Sequence, residues 1–214
     1  MADNIEKYFS RNAQLWRDIY DRKNLPFFLF NLLFRKGVFD RWRLCFESSQ
    51  PVTGKTVLDI GAGSGLFSIQ FASLGAKRTL GLDIAEGMVS MARTQARQKG
   101  LDSKCEFINA EFMNWDSPEM FDVVIAIGVL DYVSEPAAFL SKMAKKSKSL
   151  VLASFPGHDR FREPMRKLRY KIKKFPVYFY SEKEILDLAA KAGIKRAEVI
   201  PYASSGLFLK GSLE

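Results

Sequence analysis

The chain has 214 residues, of which 47% are hydrophobic, and it carries a formal net charge of +9. A chain of this length can fold as one domain that buries roughly 70% of its unfolded surface. No apolar run approaches the roughly 20 residues that cross a bilayer, and the polar start lacks the apolar core of a signal peptide, so we expect a cytoplasmic protein. The two cysteines, Cys45 and Cys105, have no metal-ligand spacing, and we expect both to be buried thiols.

The excess positive charge lies almost entirely in one segment. Residues 142–174 hold 12 basic and 2 acidic side chains, whereas residues 51–141 hold 7 basic and 11 acidic ones. A nucleic-acid-binding protein usually spreads its basic residues over a whole face. The basic block therefore indicates one local element.

The first 50 residues predict an N-terminal helical cap. They contain the apolar run PFFLFNLLF at 26–34, which ends shortly before Gly37. Three aromatic residues, Tyr8, Trp16 and Tyr20, precede this run. Closure over a ligand and packing inside the cap explain them equally well, so both interpretations stay open.

After residue 50, short apolar runs alternate with helical periodicity, which predicts a doubly wound α/β sheet. The predicted strands carry the sequences TVLDIG, RTLGLD, CEFIN, FDVVIAIG and SLVLASF. The predicted helices between them span about 65–74, 87–100 and 135–146. A last helix, from about Ser181 to Ala192, starts with a capping box formed with Glu184 and stops at Gly193. Two final strands, at about 195–202 and 206–210, are joined too closely to be parallel.

Residues 156–180 interrupt this alternation with a basic helical insert. The apolar residues Phe161, Met165, Leu168, Ile172 and Phe175 are spaced 4, 3, 4 and 3 apart, which places them on one stripe of a helix over about 163–174. Three interpretations compete: a solvated helix packed through its apolar stripe, a lid that attracts an acidic substrate, and a contact with an anionic membrane or nucleic acid. In each of them we expect the helix to cap the active site.

The stretch VLDIGAGSGLFS at 57–68 places Gly61, Gly63 and Gly65 at the end of the first predicted strand. A bare loop there lets the backbone approach a ligand. The spacing is not the dinucleotide fingerprint, because its third glycine would fall at Leu66. Asp83 ends the next strand, where a carboxylate can accept hydrogen bonds from both hydroxyls of a ribose. A helix N-terminal acid is the alternative explanation of Asp83.

These motifs together resemble those of the class I S-adenosylmethionine-dependent methyltransferases, over about residues 52–211. VLDIGAGSG resembles the first family motif, GLDIAEGMVSMAR the second strand and helix, FINAEF the adenine-side loop and FDVVIAIGVLDYV the fourth-strand motif. The resemblance implies a Rossmann-like, doubly wound seven-stranded sheet with an antiparallel last strand. The expected organisation is a cap at 1–50 and a cofactor-binding domain at 51–214, with the basic insert at 156–180.

The resemblance also implies which residues hold the cofactor S-adenosylmethionine, each by its position in a matched motif. Those on the methionine side are Asp59, Gly61, Ala62, Gly63, Ile127 and Gly128, and those on the adenosine side are Asp83, Ile84, Asn109 and Ala110. Outside these motifs, the stretch EKYFSRNAQLWRDIYD resembles the entry helix of many small-molecule methyltransferases, which makes Tyr8 a candidate to close over the cofactor, with packing inside the cap as the alternative. The family often has an aspartate at the position of Asn109. An amide oxygen can still accept from the adenine amino group.

Three residues near the expected acceptor side are candidates for catalysis. His158 follows the fifth strand, and histidine titrates near neutral pH, which suits a general base; a surface-loop histidine is the alternative. Asp131 and Tyr132 follow the fourth-strand motif. The chain has neither the Asn-Pro-Pro-Tyr string of amino-group methylases nor the Pro-Cys of cytosine methylases, and it has no metal-ligand cluster, so we expect no metal.

The leading hypothesis is a small-molecule methyltransferase that acts on oxygen, loosely similar to the quinone-pathway and magnesium-porphyrin branch of the family. The expected acceptor is bulky, aromatic or acidic, and peripheral contact with a membrane is compatible with the basic helix. The alternatives are an RNA or protein methyltransferase that uses this helix, and a non-catalytic module that binds the cofactor.

Overall fold

The structure is a computed structural model that describes residue 6 and residues 36–160, 162–172, 176–203 and 205–214. Its strands are β1 Thr56–Ile60, β2 Arg78–Asp83, β3 Cys105–Asn109, β4 Phe121–Ala126, β5 Ser147–Pro156, β6 Arg196–Tyr202 and β7 Gly206–Ser212. The helices within these ranges are α1 Lys36–Ser49, α2 Leu66–Ser73, α3 Glu86–Gln98, α4 Pro136–Lys146, α5 Arg162–Ile172 and α6 Glu182–Lys191.

All seven strands form one sheet in the order β3-β2-β1-β4-β5-β7-β6. Strands β1 to β5 are parallel to one another, and β7 runs antiparallel to both β5 and β6. The predicted α/β class and the antiparallel last strand are therefore confirmed. The chain leaves β1 toward β3 on one side and returns through β4 on the other, so the crevice of this doubly wound sheet opens at the carboxyl ends of β1 and β4.

Both faces of the sheet are covered, because successive residues of a buried strand point to opposite sides. In β1, Leu58 belongs to the core cluster that also contains residues of α4 and α6, whereas Val57 belongs to the cluster on the other face. Helix α1 contributes Leu44 and Cys45 to that second cluster. The final part of the predicted cap thus shares the core of the sheet.

The local signals for helix α6 are confirmed in detail. Ser181 Oγ accepts from the Glu184 amide at 3.3 Å, and the Glu184 carboxylate accepts from the Ser181 amide at 2.7 Å. This reciprocal capping box satisfies two donors at the start of the helix. Cys45 and Cys105 are buried free thiols, as predicted.

Several sequence predictions fall on residues outside the described ranges. They are the helical cap over residues 1–35, its aromatic residues Tyr8, Trp16 and Tyr20, the apolar run at 26–34, and the ends of the apolar stripe at Phe161 and Phe175. Within the described ranges, none of the helices combines the length and the apolar character that crossing a bilayer requires.

The predicted basic helix exists as α5, and of its three interpretations the one in which the helix packs through its apolar stripe is wrong. Met165 and Ile172 are each 74% exposed and Leu168 is 63% exposed. Charged side chains make the inward contacts instead, since Glu163 bonds to His158 and Arg166 bonds to Asp131. The helix is therefore attached through its polar face, and its apolar stripe is open.

Candidate active site

The loop between β1 and α2 is held by hydrogen bonds to β2. The amides of Gly61 and Ala62 both donate to the Leu82 carbonyl, at 2.8 and 2.9 Å, and the Gly63 amide donates to Asp83 Oδ2 at 2.8 Å. These three amides are thus engaged inside the protein. What the loop presents at the crevice is a backbone with almost no side chains.

The three glycines of this loop are required for different reasons, although all have positive φ. A Cβ on Gly61 would lie 2.4 Å from Val129, and a Cβ on Gly65 would lie 2.8 Å from both Ala92 and Phe107. A Cβ on Gly63 would meet nothing within 4 Å. Gly61 and Gly65 therefore allow close internal packing, whereas Gly63 faces open space at the crevice.

Asp83 connects three segments at the carboxyl end of β2. Its Oδ2 accepts from the Gly63 amide at 2.8 Å, and its Oδ1 accepts from the Ala85 amide at 2.9 Å, at the start of α3. Burial raises the pKa of the Asp83 carboxyl, and the two amides lower it. Each carboxylate oxygen can accept more than one hydrogen bond, so both retain acceptor capacity toward a ligand.

Asp59 lies deeper than the resemblance implied. It is 2% exposed, and its Oδ2 accepts from Ser68 Oγ at 2.7 Å and from the Ser68 amide at 3.1 Å, in the first turn of α2. Burial, with a smaller contribution from the Asp83 charge, raises the pKa of Asp59 to about 7, although the Ser68 hydrogen bonds lower it. This placement favours a positioning role beneath the glycine loop.

The candidates for the adenine side converge on the backbone of Asp83. Asn109 Nδ2 and the Ala110 amide both donate to the Asp83 carbonyl, at 3.1 and 3.0 Å. Asn109 is exposed, and its amide oxygen is not used in that bond. Ile84 is half-buried at the same edge. The Ala110 amide is committed to the protein, so the side chains of Asn109 and Ile84 are the better candidates for contact with a base.

On the β4 side, the Gly128 amide donates to Ser154 Oγ at 2.8 Å. Helix α1 brings Arg41 to this point: its guanidinium lies 3.0 Å from where a Cβ on Gly128 would be. Tyr202 bonds to the side chains of Ser154 and Arg41, and burial raises its pKa. Ile127 is half-buried beside this network.

Asp131 is engaged with helix α5. Its residue exposure is only 9%, and Oδ2 accepts from Arg166 Nη2 at 2.7 Å. Arg166 also lies over the ring of Phe179, 5.4 Å from its centroid. Tyr132, the next residue, is half-buried. An aspartate already paired with an arginine is better suited to holding a helix than to accepting a proton from a substrate.

His158 is also tied to α5. Its Nδ1 lies 2.9 Å from Glu163 Oε2, and its ring lies 6.3 Å from that of Phe179. Hydrogen bonds lower the pKa of Glu163, and the one from Lys167 contributes more than the one from His158. A carboxylate on Nδ1 favours the tautomer in which Nδ1 carries the proton, which leaves Nε2 as an acceptor. His158 is thus oriented, and not merely exposed.

A cleft of about 310 Å³ opens beside His158, between the end of β5 and the β6–β7 hairpin. Tyr180, Tyr202 and Leu207 form part of its wall. Because β7 is antiparallel to β5, the turn between β6 and β7 lies at the carboxyl ends of the parallel strands, where the glycine loop also lies. The cleft and the glycine loop therefore open at the same edge of the sheet.

A family model described as a methyltransferase domain matches residues 51–191. This chain belongs to the methyltransferase-domain family. The family predicted from the sequence motifs is therefore confirmed, and the match covers the strands that carry the glycine loop, Asp83, Asn109 and the β4 motif.

This methyltransferase-family chain is similar to proteins with different acceptors. It is 38% identical over 113 residues to a ubiquinone biosynthesis O-methyltransferase of Ruegeria sp., covering 53% of this chain and 44% of that protein. It is 34% identical over 116 residues to a ribosomal protein L11 methyltransferase of Escherichia coli, covering 52% and 38%. The chain thus spans less than half the length of these relatives.

Among solved structures, the magnesium protoporphyrin IX methyltransferase of Synechocystis PCC 6803 with bound SAH (S-adenosylhomocysteine) has a TM-score of 0.77. The two chains are 22% identical, and the match covers 98% of each. This similarity supports the fold of the described residues of the methyltransferase-family chain.

Four residues at this site were missed by the sequence analysis. They are Arg41, Ser154, Glu163 and Arg166. A polar residue inside the apolar run SLVLASF is a signal that could have identified Ser154. The other three are charged residues in charged surroundings, and only their tertiary contacts distinguish them from their neighbours.

We expect Gly65→Ala to destabilise the protein more than Gly63→Ala. Both substitutions force alanine into the left-handed region, at a cost of about 1–2 kcal/mol. Only Gly65→Ala adds overlap with Ala92 and Phe107, which costs about 1–3 kcal/mol more. Urea unfolding of the two variants measures the difference, and equal loss of stability would contradict the packing role of Gly65.

Asp59 should make the protein less stable as the pH rises. Its pKa is about 7 in the folded state and about 3.9 in an unfolded chain, so between these values the folded state binds more protons. The free energy of unfolding should fall as the pH rises through that window. In Asp59→Asn the fall should be smaller, as measured by urea unfolding at about pH 5, which lies inside the window, and at about pH 8, which lies about one unit above it. The exposed change Asp102→Asn is the control, and an identical fall in Asp59→Asn and the native chain would refute the assignment.

Proposed function

We propose that this protein is an S-adenosylmethionine-dependent methyltransferase that methylates a hydroxyl oxygen of a small molecule in the cytoplasm. The observation that carries the proposal is the bond between the Asp83 carboxylate and the Gly63 amide, at the switch point of the sheet and beside open space. A ribose needs an acidic acceptor at a strand end, and the attached methionine chain needs a bare backbone close by. Asp83 and Gly63 supply both.

The residues around this bond fit the cofactor. Asp83 would bind the ribose hydroxyls, with Ile84 and the Asn109 amide oxygen at the adenine. The methionine part would lie along the backbone of Gly61 to Gly63 and beside Ile127 and Gly128. Asp59 would act from below through Ser68, which fixes the first turn of α2. When bound, S-adenosylmethionine supplies an electrophilic methyl group on sulfur.

The chain's own chemical contribution would be to orient the acceptor and take its proton. Orientation alone can contribute about 7–11 kcal/mol in well-aligned reactions. His158 Nε2 is the best-placed proton acceptor among the described candidates, because Glu163 holds Nδ1 and fixes the ring. Asp131, paired with Arg166, would hold α5 over the site, with Tyr132 beside it.

The cleft beside His158 supports a small acceptor. Its volume of about 310 Å³ is at the lower end of ordinary ligand pockets. Tyr180 and Tyr202 offer aromatic walls, and burial raises the pKa of both phenols. An aromatic compound with a hydroxyl group suits these walls, and the name of the Ruegeria relative, an O-methyltransferase, agrees with transfer to oxygen.

Methylation of RNA or protein is the second candidate. The net positive segment at 142–174 and the similarity to a ribosomal protein methyltransferase favour it. The size of the cleft favours the first candidate, because about 310 Å³ lies within the range of small-ligand pockets. A non-catalytic module would bind the cofactor and transfer no methyl group.

We expect Asp83→Ala to lower the affinity for S-adenosylhomocysteine about tenfold or more. The variant loses charge-assisted hydrogen bonds worth about 1.5–3 kcal/mol and releases the Gly63 amide. Isothermal titration measures the affinity, and thermal unfolding verifies the fold. Asp102→Ala, an exposed loss of the same charge on the loop before β3, should bind normally. Normal binding by Asp83→Ala would mean that the ribose site lies elsewhere.

We expect His158→Ala to lower methyl transfer about 10² to 10⁴-fold with unchanged affinity for S-adenosylhomocysteine. The assay follows a labelled methyl group from S-adenosylmethionine into the small-molecule, RNA and protein fractions of a cell extract. Glu163→Gln should cause a smaller fall, since Nε2 remains, and Lys167→Gln should preserve the His158–Glu163 contact. Label in RNA or protein would refute the small-molecule acceptor, and full transfer by His158→Ala would make His158 a surface residue.

A further inference from the structure

Helix α5 has its polar face turned inward. Glu163 Oε2 lies 2.9 Å from His158 Nδ1, and Glu163 Oε1 lies 2.5 Å from Lys167 Nζ. Arg166 pairs with Asp131 at 2.7 Å and lies over Phe179. The residues that attach the helix to the rest of the protein are therefore charged.

The opposite side of α5 is apolar and exposed. Met165, Leu168 and Ile172 are spaced three and four residues apart, which places them on one side of the helix, away from Glu163 and Arg166. They are exposed by 74%, 63% and 74%. The other large hydrophobic side chains exposed in the described ranges are only 39–44% exposed and lie at separate places in the chain: Leu74, Met113 and Met120. We call Met165, Leu168 and Ile172 the α5 stripe.

The sequence that carries the α5 stripe is strongly cationic. Residues 160–174 contain eight basic residues and one acidic residue, Glu163, which is already paired with Lys167. Lys167 and Lys171 are exposed on α5 itself. A short helix with an apolar side and flanking lysines can lie in the interface of a bilayer, with its aliphatic residues among the acyl chains and its ammonium groups at the headgroups.

We propose that α5 docks this protein onto an anionic lipid surface through the α5 stripe. Charge complementarity selects this occupant. If a second copy met the first through α5, two cationic segments would face each other and repel. A nucleic acid would offer phosphates to the basic residues, but it has no apolar phase for the three exposed hydrophobic side chains. The inward contacts of Glu163 and Arg166 would leave the docked helix attached at His158 and Asp131, so the bilayer would lie next to the cleft. The proposal does not depend on methyl transfer.

The test is co-sedimentation of the full chain with vesicles. One set is phosphatidylcholine alone, and in the other about a third of the lipid is phosphatidylglycerol. We expect binding to the anionic vesicles, weaker binding to the neutral ones, and loss of binding at high salt.

The triple variant Met165→Gln, Leu168→Gln, Ile172→Gln should bind the anionic vesicles about tenfold less. The matched triple Leu74→Gln, Met113→Gln, Met120→Gln removes the same number of exposed hydrophobic residues and should bind normally. Lys167→Gln with Lys171→Gln should weaken binding at low salt.

Three results would overturn the proposal. The first is equal binding by the two triple variants. The second is unchanged vesicle binding by the α5 triple variant together with a lower melting temperature, which would mean that the α5 stripe is covered by protein, for which the apolar run at 26–34 is the candidate. The third is salt-sensitive binding of a duplex RNA that the α5 triple variant retains, without vesicle binding by the native chain, which would assign the positive charge to a nucleic acid.

Discussion

The carboxylate of Asp83 connects the pieces of chain that form the cofactor side of the proposed site. One carboxylate oxygen accepts from the Gly63 amide, and the other accepts from the Ala85 amide at the start of α3. The backbone carbonyl of Asp83 accepts from the Asn109 side chain and the Ala110 amide. The ends of β2 and β3, the glycine loop and the start of α3 are therefore fixed by one residue. A ligand that adds hydrogen bonds to this carboxylate meets a site that is already in place, and less ordering is needed on binding.

This arrangement places two acids close together in a poorly solvated region. Asp59 lies beneath the loop and Asp83 lies at its rim, and burial raises the pKa of both. Ser68 and two backbone amides offset part of the desolvation, but an apolar core would need no such compensation. In the proposed function both acids serve the cofactor side, and because their pKa values are raised in the folded state, the free energy of unfolding falls as the pH rises toward neutral.

In the proposed function, helix α5 holds residues of the acceptor side, as Asp83 holds those of the cofactor side. Glu163 orients His158, and three residues further along the helix Arg166 pairs with Asp131. Two of the three candidate catalytic residues are thus coupled to one element, whose exposed side carries the α5 stripe. The α5 stripe and the contacts to His158 and Asp131 therefore lie on different sides of the same helix.

The sequence alone determined the features that depend on local chemistry: the alternation of strands and helices that defines the α/β class, the glycine loop, and the capping box at Ser181. Backbone propensities and side-chain periodicity act over a few residues, and they were sufficient there. Periodicity also located the apolar side of α5 but not what it contacts, so the three interpretations of this helix stayed open until the structure showed that side to be exposed. Only the tertiary structure decided that the Gly61 amide donates to the Leu82 carbonyl and that Arg41 approaches Gly128. Such contacts join residues far apart in the chain, and their geometry is set by the packing of the whole sheet.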